Sequence, residues 1–80
     1  DELSGFIIAV ALVRPNKSLA EVDAQAVRKK MKDKAFARAV NRDEILKGAE
    51  DLGLELDEHI NFVARALESI APELGLAGKQ

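Results

Sequence analysis

The stretch "FIIAVALV", Phe6 to Val13, constrains this chain more than any other: eight apolar residues in unbroken series, with Asp1 and Glu2 ahead of them and Arg14-Pro15 behind. It falls far short of the roughly 20 residues that a membrane-spanning helix needs. A secretory signal would carry positive charge ahead of the apolar stretch, so neither an anchor nor a signal is expected. As a helix the run is apolar on every side, and helices of that kind are normally surrounded by protein. A strand is the alternative, because Ile7, Ile8, Val10 and Val13 are β-branched. On either reading the run must be buried by something, since each exposed Leu, Ile or Phe forfeits roughly 1.5–3 kcal/mol.

The rest of the chain offers limited cover. Eighty residues make one module at most, spanning 1–80, and a domain of this size buries only about 60–65% of the surface its unfolded chain exposes. There is no cysteine, hence no disulfide framework and no thiolate metal site, which fits a reducing cytoplasm. Trp and Tyr are absent and Phe6, Phe36 and Phe62 are the only aromatics. Ala, Leu, Glu, Lys and Asp dominate, a composition rich in helix formers.

The punctuation of the sequence divides it into about four helices. The first runs from about Leu3 to Val13 and stops where Pro15 disfavours the α conformation at the residue before it. Ser18 then caps a short turn through Leu19 and Val22. A second long helix is expected from Asp23 to about Ala39, where Ala24, Val27, Met31 and Ala35 form one stripe. Asn41 opens the third, with Glu44 completing a capping box, and Gly53 occupies the left-handed position beyond its end. Asp57 is read as the cap of the fourth, whose wide apolar face comprises Ile60, Val63, Ala64, Leu67, Ile70 and Ala71. Pro72 ends that helix or begins a last turn, and "LGLAGKQ" reads as a fraying tail. The fold expected is therefore all-α, a small bundle of about four helices that is incomplete as a monomer.

Charge patterning points away from nucleic acid. Residues 1–40 carry eight Lys/Arg against five Asp/Glu, and residues 41–80 carry four against nine, so the two halves should attract one another or like-built neighbours. The run "RKKMKDK" could track a phosphate backbone. No aromatic interleaves with it, however, and the chain is acidic overall with a formal charge of -2, so a solvated face paired with the acidic half is expected instead. Catalytic constellations are thin as well. His59 is the only histidine and is read as a partly exposed surface or capping residue, because a metal ligand needs companions. No P-loop, zincin helix or dinucleotide fingerprint occurs.

Three stretches taken together, "DELSGFIIAVALVRPNKSL", "VRKKMKDKAFARAVNRDEI" and "LGLELDEHINFV", resemble the C-terminal part of the HD superfamily, the helical metal-dependent phosphohydrolases. The similarity runs from Asp1 to about Leu76 in the same order. It implies an all-α bundle holding one or two divalent metals through a histidine, an adjacent His-Asp pair and a final aspartate, which Asp1 matches. The other ligands are absent from this chain, and one carboxylate cannot fix a metal or acidify its water. The resemblance thus implies a phosphomonoesterase or phosphodiesterase parent with a divalent metal, and a chain without catalysis or cofactor of its own. It also implies that the apolar helix carries the last ligand on its first turn and is wrapped by upstream helices, with Gly5 serving close helix packing.

The starting Asp in place of Met suggests processing, or excision from a longer protein. The missing cover for the first helix is then either an N-terminal segment or a second copy, most simply in a two-fold dimer. A stand-alone helical module that oligomerises or binds a partner helix is the competing expectation.

Overall fold

The computed structural model describes residues 2–38 and 40–78, and these form an all-α bundle. The elements are α1 (Glu2–Leu12), a single 3-10 turn (Leu19–Glu21), α2 (Ala24–Met31), α3 (Arg42–Asp51), α4 (Leu56–Glu68) and the one-turn α5 (Ala71–Leu74). No strand occurs among the described residues; the only extended pairing described is an isolated antiparallel bridge between Ser18 and Ala77. The apolar run is thus helical, and the strand alternative falls.

Helix α4 is the hub, packing against α1, α2, α3 and the 3-10 turn. Its Ile60 and Ala64 are fully buried together with Leu19, Val22 and Val27, while Ile7, Val10 and Ala11 arrive from α1. Against the expectation of a helix surrounded on every side, α1 buries one stripe, Leu3, Phe6, Ile7, Val10 and Ala11. That is the i, i+3, i+4, i+7, i+8 pattern of a helix lying on a core. Leu12 and Val13 stay exposed, at 49% and 56%. Ile70, placed in the α4 face by its spacing, is also largely exposed, because α4 ends at Glu68 before that position is reached.

The second helix is much shorter than its stripe suggests, ending at Met31. Four of the five residues from Arg28 to Lys32 are cationic, and like charges three or four apart weaken a helix. Asp33 then turns the chain, its side chain accepting from the Phe36 backbone N–H at 3.1 Å. The turn brings Phe36 edge-on to Phe6 with centroids 5.5 Å apart and buries Ala37, whereas Ala35 points to solvent.

Caps come partly from distant residues. Asp23 caps α2 through Ala26 N–H, and Asn61 of α4 accepts from Ala24 N–H at 2.9 Å. Asn41 caps α3 through Glu44 N–H, but its own N–H donates to Glu2 of α1, so the reciprocal half of the expected Asn41/Glu44 box is made across the bundle. The cap of α4 is Glu55, boxed with Glu58, rather than Asp57. Gly53 adopts φ +68, the left-handed conformation that its place after α3 demands.

The C-terminal segment does not fray within the described residues. Leu76 is fully buried and its carbonyl accepts from Leu19 N–H at 3.0 Å. Arg65 clamps the same 3-10 turn, donating to the carbonyl of Leu19 at 2.9 Å and to that of Val22.

Candidate functional site

Asp1, the single metal-ligand position that the family resemblance implies, lies outside the described residues. Its neighbour Glu2 opens α1 and stands at the rim of a cleft of about 610 Å³ between α1 and the segment leading into α3. The floor is apolar, from Gly5, Phe6, Ala9, Phe36 and Val40, and Glu44 is the second carboxylate on the rim. Local sequence explains the shape. Gly5 and Ala9 stand one helical turn apart on α1 and leave its surface low, and the turn at Asp33 swings Phe36 over to form the opposite wall.

The cleft combines an apolar floor with two carboxylates at its rim. Glu2 already accepts the Asn41 N–H at 3.2 Å. Among the described residues no group of three or more His, Cys, Asp or Glu converges.

His59 departs from the surface or capping role expected of it. It is buried, at 8% exposure, in the second turn of α4, and its Nε2 comes within 3.3 Å of where a Cβ on Gly48 would stand. Its Nδ1 is buried without a hydrogen-bond partner. The glycine on α3 and the imidazole on α4 are a matched pair that lets these helices approach. Nothing in the local sequence announces it, because Gly48 and His59 belong to different elements.

The basic segment is partly neutralised and partly open. Arg28 bridges both carboxylate oxygens of Asp57 at 3.1 Å, a pairing of basic half with acidic half as the charge asymmetry suggests. Lys30 sits 5.0 Å from the Phe36 ring centroid, a cation–π contact, and Arg42 donates to the Met31 carbonyl. Lys29 and Lys32 share a second, polar cleft of about 570 Å³ with Gln25, Arg28 and Asp57. Arg65, which sequence reasoning passed over, is a structural cation whose carbonyl acceptors, on Leu19, Ala20 and Val22, lie more than forty positions away.

Comparison with protein-family models, with curated proteins and with solved structures finds no match for this chain.

Proposed function

We propose that this chain is the C-terminal helical segment of an HD-type metal-dependent phosphohydrolase, whose parent hydrolyses a phosphomonoester or phosphodiester. On this reading the segment is not catalytic alone. Asp1 supplies the last ligand of a divalent metal whose other ligands belong to an upstream part of the same protein. The three stretches that resemble the family are the basis of the reading, and the observation that supports it is the character of α1. The helix that directly follows Asp1 has apolar surface on two opposite sides; one is buried in the described bundle, and on the other Gly5 and Leu12 are exposed while Ile8 and Ala9 are only half-buried.

The test is the coding sequence upstream of Asp1, followed by expression of the natural polypeptide. An in-frame His and an adjacent His-Asp pair are expected. With added Mn²⁺ or Mg²⁺ the polypeptide should hydrolyse p-nitrophenyl phosphate or its bis-ester, and Asp1→Asn should lower that rate by about 100-fold, the upper end of what loss of a group that merely supports a metal ligand costs. A start codon directly before Asp1, or an upstream region without those residues, overturns the reading.

The second reading, a stand-alone helical module that works by association, is favoured by the exposed Phe62 of α4, at 67%, together with Leu12 and Val13. The intact mass under denaturing conditions separates the two: the mass of the 80 residues supports the module, and a markedly larger mass supports the hydrolase.

A further inference from the structure

Gly5 is unexplained by any contact among the described residues. It lies inside α1, where glycine is about 1 kcal/mol less favourable than alanine. Its φ is not in the left-handed range, and a Cβ built on it would meet nothing within 4 Å. A helix keeps such a residue when another backbone or a large side chain must come close.

The surroundings of Gly5 say what approaches. Ile8, Ala9 and Leu12 continue its line at three- and four-residue spacing, forming a second apolar stripe roughly 180° around α1 from the buried one at 100° per residue. Gly5 and Leu12 are exposed, and Ile8 and Ala9 only partly covered. A solvent-facing stripe in a short amphipathic helix would be charged; this one has no polar residue.

We propose that this face is a self-association surface, on which a second copy of the chain lays its own α1 antiparallel about a two-fold axis between positions 8 and 9. In that register Gly5 faces Leu12 of the other copy, and Ile8 faces its Ala9. Every large side chain meets a small one, the knob-and-hole condition for close helix packing. The charges agree with the same register. The acidic end of the face, Glu2 with Glu44 on the cleft rim, comes to the end where exposed Lys17, and Arg14 already paired with Glu21 at 3.6 Å, follow α1. A parallel pair would set Gly5 against Gly5 and Leu12 against Leu12, leaving a void and a clash, and would bring Glu2 to Glu2. Phe36 and Val40, the far wall of the cleft, enlarge the contact. Two helices of eleven residues still bury less than a standard interface of roughly 800 Å² per partner, so a dissociation constant on the order of 10 µM is expected.

This proposal competes with the phosphohydrolase reading for the same side of α1, which upstream helices would cover in such a parent; the coding sequence decides that reading, and sedimentation decides this one. The experiment is sedimentation equilibrium of the 80-residue chain between about 1 and 500 µM, concentrations that bracket that constant, with far-UV circular dichroism of every variant. The wild type should pass from monomer to dimer. Gly5→Gln, whose side chain has open space in the monomer, should stay helical and weaken dimerisation at least about 100-fold by overfilling the hole. Ala9→Ile should weaken it too, by opposing Ile8 with isoleucine, and adding Ile8→Ala should restore it. That rescue reads the register even if Gly5→Gln disturbs folding. A monomer at every concentration, or a dimer indifferent to both Gly5→Gln and Ala9→Ile, overturns the proposal; the former gives the face to another occupant, such as a preceding segment of a longer polypeptide.

Discussion

Single residues divide between those whose role is written locally and those whose role is not. Gly53 is of the first kind: its place just after an apolar helical stripe calls for a left-handed residue, and its φ is +68. Gly53→Ala should cost about 1 kcal/mol in urea unfolding, the strain of putting a Cβ in that conformation. His59 is of the second kind. Its neighbours Asp57 and Glu58 mark a helix start and suggest an exposed side chain, but the absence of a Cβ at Gly48 draws the ring inside. A buried Nδ1 without a partner is a cost that a purely apolar side chain would avoid. His59→Leu should therefore leave stability unchanged or raise the midpoint of urea unfolding. A loss above about 2 kcal/mol would show that the imidazole makes a polar contact worth keeping.

Among the elements, α1, α3 and α4 lie close to where spacing and caps put them, and α2 does not. Its apolar stripe continues to Ala35, but the cations packed around it and the turn-forming Asp33 break the helix after Met31. Periodicity alone carried no sign of either effect. The joint between α2 and α4 was equally illegible, since the Asn61 acceptor for Ala24 N–H comes from 37 positions away. Asn61→Ala should cost about 1 kcal/mol, as loss of a cap does, and amide exchange should show the loss concentrated at the first turn of α2. Uniform destabilisation would mean that Asn61 matters for some other reason. The cap of α4 slipped by two residues for a simpler cause: Glu55 and Glu58 form the reciprocal box, leaving Asp57 free to meet Arg28.

At the scale of the molecule, the opposed charge of the two halves was readable, and so was the excess of apolar surface on α1. The cleft beside α1 was not, because it exists only once the Asp33 turn carries Phe36 onto Phe6. Charge contributes little to holding the halves together. The Arg28–Asp57 pair has half-exposed partners, so a double-mutant cycle should return a coupling below about 1 kcal/mol that shrinks in 1 M NaCl. Arg65 matters more, since its guanidinium bonds to the carbonyls of Leu19 and Val22. Arg65→Ala should destabilise the chain by about 2 kcal/mol, the scale of hydrogen bonds from a charged donor, and should loosen the 3-10 turn first. Equal unfolding free energies for Arg65→Ala and wild type would refute that clamp.

The seat of Leu76 on Leu19 bears on how the protein is made. The two residues stand 57 positions apart, 76 less 19, and their contact closes a core to which α1 contributes early and α4 late. Contacts between such distant positions form slowly, because most of the intervening chain must be ordered first. During synthesis, α1 leaves the ribosome before α4 and the segment carrying Leu76, which cover its buried stripe, have been made. The interval before residue 76 clears the exit tunnel is when a nascent chain of this design most needs a chaperone or a neighbouring segment to shield it.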